Sequence, residues 1–213
     1  LDLRRNKLVG IVGKKREGVL RQALGMLVEL ATLHNYEDLR LAVIYNEKEM
    51  EFWRFASWIP HLWREDDSMR YLANDAGEIK FLSQKLLEVL HQRSSQHSAD
   101  GEQPTPWYVI VDADQRLGQR AEVIRELYQA KGDVGMTLIE LCESEKLLPR
   151  NCDAILDVDH MQLSLRRENT VQEQMLKSVL DFRQDAEALF RNLSHIRLQN
   201  AEQKQKLETN LSF

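Results

Sequence analysis

Apolar residues recur along this chain with two different periods. Residues 7–12 (KLVGIV) form a short apolar run ending in Gly13, and from Arg16 to about Leu33 the positions Leu20, Ala23, Leu24, Leu27, Leu30 and Ala31 follow helical spacing. Strand, glycine turn and helix are predicted in that order. Residues 39–45 (LRLAVIY) form a second aliphatic run bounded by polar residues, which completes a βαβ unit with a right-handed crossover. Three more runs follow, WYVIV at 107–111, VGMTLIEL at 134–141 and AILDV at 154–158. Such continuous runs suit strands covered on both faces, so the sheet is expected to be mainly parallel.

A long insertion separates the second and third of these strands. Residues 48–56 read as helix and run into the aromatic stretch FWRFASWIPHLW at 52–63; residues 76–93 then place Ile79, Leu82, Leu86, Leu87 and Leu90 on one helical face. Residues 94–106 have no apolar period and are predicted to be a mobile surface loop. Residues 121–130 read as a helix stopped by Lys131-Gly132-Asp133. Beyond Asp159, residues 161–166 alternate like an edge strand, and 171–180 and 185–198 read as polar helices with narrow apolar stripes. The expected organisation is an α/β core over 1–166 and a helical C-terminal extension over 167–213.

Composition narrows the classes. The chain has 213 residues, 43% of them hydrophobic, with 29 Lys+Arg against 34 Asp+Glu. That is the profile of one ordinary soluble domain, and it excludes a disordered, collagen-like or coiled-coil protein. No apolar run approaches the length of a membrane span. A formal charge of −5 gives no overall field favouring nucleic acid. Cys142 and Cys152 lack metal-ligand spacing and are expected to be reduced, largely buried thiols. His34, His91, His97, His160 and His195 are scattered and make no metal set. The ends of the sequence read as those of a domain within a longer protein.

Candidate chemistry begins after the first strand. Gly13-Lys14-Lys15-Arg16-Glu17-Gly18 is a G-x-x-x-x-G stretch in the strand–loop–helix position of a phosphate-binding loop. In a working loop the next two residues are a Lys for the β/γ-phosphates and a Ser/Thr for magnesium; here they are Val19 and Leu20, which do neither. The basic run Lys14-Lys15-Arg16 is either a solvated surface or a phosphate contact. The second landmark is WYVIVDAD at 107–114, a hydrophobic strand ending in Asp112 as a Walker B strand does, but with Ala113 where a hydrolysing motor usually carries Glu. Asp114 is one residue too far. A third echo, the strand of 134–141 with Glu140 and Glu143 near its end, offers acids where a γ-phosphate sensor is needed. The scaffold of a nucleotide site is present without its chemistry, and ATP hydrolysis is not expected.

Trp53, Trp58, Pro60, His61 and Trp63 are candidates for an interface, with core or interdomain packing as the other reading. His61 has no nucleophile or acid at a recognisable spacing, so a catalytic base is not indicated.

The segments KLVGIVG at 7–13, LATLHNYEDLRL at 30–41, FWRFASWIPHLW at 52–63, the strand into Asp112 and LPRNCDAIL at 148–156 carry a resemblance. With them the chain resembles the juxtamembrane domain of the FtsK/SpoIIIE-type motors of bacterial type VII secretion, EssC in Gram-positive bacteria and EccC in mycobacteria. The closing stretch 194–213 resembles the run-in to the first true ATPase domain of those motors. The resemblance implies a RecA-like, P-loop-type three-layer fold with a degenerate nucleotide site. It implies a cytoplasmic domain of a bacterial plasma-membrane translocase, with ATP and magnesium bound only in other domains and no cofactor here. The implied partners are other domains of the same chain, neighbouring copies, the membrane stalk and other secretion components; WXG-type substrates are met through downstream domains, and nucleic acid is not a partner. The function expected is non-hydrolytic coupling of stalk to motor, against two alternatives, a nucleotide sensor without turnover and a DNA-translocase fragment.

Overall fold

The computed structural model describes residues 1–63, 69–95, 105–130, 132–167, 170–175 and 185–195. β1 (Leu8–Val12) passes through Gly13 into α1 (Arg16–Leu33), and β2 (Leu39–Ile44) follows. Every residue of β1 and β2 is buried, as the unbroken apolar runs require. Next come a 3-10 turn at Glu47–Glu49, α2 (Met50–Trp53), further 3-10 turns at Arg54–Trp58 and Pro60–Leu62, and β3 (Leu72–Ala73). α3 (Ala76–Ser95), β4 (Trp107–Asp112), α4 (Gln115–Gly118), α5 (Glu122–Leu127) and β5 (Met136–Cys142) complete the central part. β6 (Ala154–Asp157), β7 (Gln162–Arg167), β8 (Thr170–Met175) and α6 (Ala186–Ser194) close it.

The strands form one sheet in the order β3-β2-β4-β5-β1-β6-β7-β8. β1 to β6 run parallel to one another, and β7 and β8 are added antiparallel. The chain steps from β1 out to β2 and then returns through β4 to β5, so crossovers of one hand put α1 on one face and α3, α4 and α5 on the other. Two glycines mark the faces. A Cβ on Gly13 would point at Val19 of α1, whereas one on Gly10 would meet Leu148, on the connection from β5 to β6. Gly10 lies in register with Glu140, and Glu140 with Asp112, so all three belong to the α4 face.

Several elements differ from the sequence expectation. The helix expected over 48–56 is broken into short turns, because Trp53, Phe55 and Ala56 all turn inward and no single α-helical face holds that spacing. The helix expected over 171–180 is, over the described part, strand β8, which pairs along the outer edge of β7. Val171, Glu173 and Met175 share one face at the period of a strand, and all six residues of β8 are exposed. The sheet therefore continues past the boundary at residue 166. α6 then packs on the aromatic segment: Phe190 is fully buried and stacks on Phe55 at 5.7 Å between ring centroids. Most of the loop expected over 94–106 lies outside the described residues, as do 176–184 and everything after 195.

Val12, Cys142, Cys152 and Ile155 form a small second core with Leu148 against it. Burial, first among the causes, pushes the Cys142 thiol up to about 12 and the Cys152 thiol up to about 11, which keeps both as inert thiols. Gly10 sits beneath this layer. Its Cβ would come within 2.2 Å of Leu148 Cδ1, the free end of a half-buried side chain that can rotate away. Gly10→Ala is therefore expected to lower stability by only about 1 kcal/mol in urea unfolding; a loss several times larger would show that Leu148 is held rigidly.

Candidate functional site

The three landmarks of the sequence meet at the C-terminal ends of β1, β4 and β5. α1 begins at Arg16, three residues after Gly13, with the extended Lys15 as its N-cap. Gly18 N–H donates to Lys15 O at 2.9 Å and so closes the first helical turn. Gly18 is thus a helix residue, and the stretch from Gly13 to Gly18 does not form a loop that wraps a phosphate. The cause is local: helical packing starts at once, with Val19 and Leu20 buried in the core. Val158 and Asp159, just past β6, fill the space above. Val158 Cγ2 lies 2.4 Å from the position of a Cβ on Gly13, and Asp159 Oδ2 accepts the Lys14 N–H at 2.8 Å. Gly13 N–H donates to Cys142 O at 3.2 Å.

Lys14 and Lys15 are exposed, but Arg16 turns inward across the strand ends. Its Nε and Nη2 donate to Glu49 Oε1 and Oε2 at 2.7 and 2.9 Å, a two-pronged carboxylate contact. Nη2 also donates to Ala113 O. Glu49 is held in turn by Trp53 Nε1 at 3.4 Å. One guanidinium therefore ties together the chain after β1, β2 and β4.

Asp112 is 1% exposed and faces α4. Its Oδ1 accepts Asp114 N–H at 3.2 Å, and its carboxyl presses on Gly118, where no Cβ fits. Burial first, then the neighbouring Glu140 carboxylate, pushes its pKa up to about 8. Ala113 is also buried, and its N–H donates to Ile44 O at 2.8 Å. Asp114 caps α4 through Arg116 and Leu117 N–H at 3.0 and 3.2 Å, and accepts Asn46 Nδ2 at 2.8 Å.

Glu140 lies inside this network. It is 2% exposed and accepts Gln115 Nε2 at 2.6 Å and the Tyr128 hydroxyl. An acid inside the apolar run of β5 was the sequence signal for Glu140, and strand pairing places it in register with Asp112. Glu143 is exposed. Among the described residues no three His, Cys, Asp or Glu side chains gather as a metal site.

Of the interface candidates, Trp53 and His61 are 1% and 3% exposed, which removes them from any surface. Trp53 packs between Tyr45 and Phe55, and His61 contacts the end of α1. Trp58, Pro60 and Trp63 are half-buried. Arg191 of α6 lies 4.6 Å over the Trp58 ring.

No family model matches the chain. It is 24% identical over 150 residues to the ESX secretion system protein EccC of Geobacillus thermodenitrificans, and 26% identical over 148 residues to the type VII secretion system protein EssC of Staphylococcus aureus. Those matches cover 70% and 67% of this chain, which spans about a tenth (10%) of the length of either relative. Among solved structures, ATPases 2 and 3 of EssC from Geobacillus thermodenitrificans superpose with a TM-score of 0.64 over 98% of this chain and 46% of theirs, at 11% identity. Thermomonospora curvata EccC ATPases 2 and 3, in complex with a signal sequence peptide, superpose with a TM-score of 0.60 over 90% of this chain and 43% of theirs, at 10% identity. The shared architecture is an α/β fold with a mostly parallel mixed sheet. No helix among the described residues is long and apolar enough to cross a membrane.

Proposed function

From the premise that this chain is an EssC/EccC-like domain, we propose that it is a non-hydrolytic coupling domain of a type VII secretion motor, joining the membrane stalk to the ATPase domains that drive export. One observation carries the reading: Lys14 N–H, the first free donor of a phosphate loop, is held by the carboxylate of Asp159 at 2.8 Å. A carboxylate at that point repels phosphate as well as taking its donor.

A magnesium nucleotide does not fit the surrounding residues. Arg16 is engaged by Glu49 and Ala113 O, and no lysine or hydroxyl follows Gly18. Asp112, in the place of a magnesium-binding acid, faces α4 and is pushed up to about 8 by burial, so it carries a proton at neutral pH. In the coupling role the domain contacts its neighbours in the motor chain and in adjacent copies, on the cytoplasmic side of the plasma membrane, without a cofactor.

Calorimetric titration of the chain with MgATP and MgADP tests this. No heat at millimolar nucleotide is expected. Gly18→Arg serves as control, since a Cβ there makes only ordinary contact with Val158 at 3.5 Å, and circular dichroism checks that the variant is folded before it is titrated. Micromolar binding that disappears in Gly18→Arg overturns the coupling reading and makes the domain a nucleotide sensor.

A further inference from the structure

The N-terminal ends of the strands, opposite the Gly13 and Asp112 region, carry a continuous set of basic and aromatic side chains. Arg40, the second residue of β2, lies 6.0 Å over the Tyr36 ring and donates from Nη1 to Trp63 O at 2.8 Å. Arg70 lies 4.2 Å over the Trp63 ring. His61 meets Tyr36 edge-on at 6.4 Å, and its Nε2 donates to His34 O at 2.9 Å. The His61 proton on Nε2 leaves Nδ1 as an acceptor.

Of the four buried side-chain nitrogens without a hydrogen-bond partner among the described residues, three are here: Arg40 Nε, Arg70 Nε and His61 Nδ1. Arg40 is only 7% exposed, and among the described residues its hydrogen bond goes to a neutral carbonyl. No carboxylate among the described residues pairs with Arg40 or Arg70. Two other inward-turned arginines are well satisfied. Arg16 grips Glu49, and Arg93 donates to Val134 O, Gly135 O and Pro106 O at 3.1, 3.1 and 2.6 Å. A guanidinium keeps its charge at any pH a protein survives, so burying it without a counterion is a large penalty that an incoming anion removes. Arg40 also helps hold His61 neutral: burial first, and Arg40 among the lesser causes, lower the imidazole to about 4.

We propose that Arg40 and Arg70, placed about Trp63, form a binding pocket for a single oxyanion, a carboxylate or phosphate monoester. Planar guanidinium forks match both groups. The exposed acids Glu37 and Asp38, close to Arg40 in sequence, disfavour an extended polyanion such as nucleic acid or an anionic bilayer. The oxyanion is supplied either free in solution or on an acidic side chain of a neighbouring protein. Glu65, Asp66 and Asp67 follow Trp63 in sequence and are the in-chain competitors.

The test is a pair of titrations of the 213-residue chain, read from the arginine Nε–H resonances in nitrogen–proton correlation spectra. One uses inorganic phosphate and the other an acetylated, amidated triglutamate peptide. The Arg40 and Arg70 signals are expected to shift saturably, and Arg70→Gln is expected to weaken binding about tenfold or more. Phosphate alone shifting them identifies a free anion; tighter binding of the peptide identifies a partner's carboxylate. Arg70 is half-buried, so its variant carries the test if Arg40→Gln does not fold. Absence of a shift at millimolar probe, or undiminished binding in Arg70→Gln, overturns the proposal. So does a shift of the Arg40 and Arg70 signals, without any probe, in the Glu65→Gln/Asp66→Asn/Asp67→Asn chain, because the counterion is then internal.

Discussion

Between pH 6.5 and 8 the chain is expected to lose about 2 kcal/mol of folding stability, and Asp112→Asn is expected to lose almost none. The folded Asp112 carboxyl, raised by burial and then by Glu140 from 3.8 to about 8, keeps its proton where the unfolded carboxyl has released it. The folded state therefore binds more protons across that interval, and stability falls as pH rises through it. His61 acts with the opposite sign. Burial, ahead of its other causes, lowers it from 6.5 to about 4, so the unfolded state binds more protons between those values and stability rises with pH there. The two slopes, each about 1.4 kcal/mol per pH unit, offset one another up to pH 6.5, and above it Asp112 acts alone.

Asparagine keeps the acceptor that Asp114 N–H needs and removes the ionisation. Its stability should climb to pH 6.5 and then stay level, exceeding the parent chain at pH 8 by several kcal/mol. Urea unfolding at half-unit pH steps measures both profiles. Parallel decline of the two chains above pH 6.5 would show that Asp112 is ionised in the fold, and with it that the strand-end acid remains available to a cation.

Gly118→Ala is expected to destabilise the chain by about 3 kcal/mol, at the upper end for overpacking by one methyl group. The added Cβ would lie 1.8 Å from Asp112 Oδ2, 2.4 Å from its Cγ and 2.7 Å from Oδ1. Leu148 can yield to a Cβ on Gly10, but the Asp112 carboxyl sits on the end of a central strand and is buried from solvent. α4 must shift instead, and with it Gln115 and its bond to Glu140. Combining Gly118→Ala with Asp112→Ala should recover most of the loss, because the second substitution vacates the space the first needs. Additive losses in the double variant, measured by the same unfolding method, would assign the effect to the backbone of α4 rather than to the carboxyl.

Much of the fold was legible because five strands, β1, β2, β4, β5 and β6, are unbroken apolar runs, and covered parallel strands have no other pattern. β8 was not legible, since an exposed edge strand buries nothing and its polar residues suit a helix surface as well. The site was half legible. The spacing of Gly13 and Gly18 suggested a loop, yet the helical period already starts at Arg16, and the packing of Val19 and Leu20 decides in favour of helix. Asp112 and Glu140 were visible as acids at strand ends, while their mutual register across β4 and β5 needs the paired sheet. The same holds for Arg40, a charge inside the buried run LRLAVI whose surroundings come from residues 36, 61 and 63.

Arg16 gives the C-terminal end of the sheet a mechanical character. The loops that follow β1, β2 and β4 all leave the sheet at this end. All three are bolted to one side chain whose partners, Glu49 and Ala113 O, are supplied by the fold itself. The ordering entropy that a ligand would otherwise have to overcome at that end is already lost when the chain folds. Were the domain to couple stalk to motor as proposed, a load applied at the start of α1 would reach β2 and β4 together, and the domain would act as a strut of fixed length rather than as a hinge.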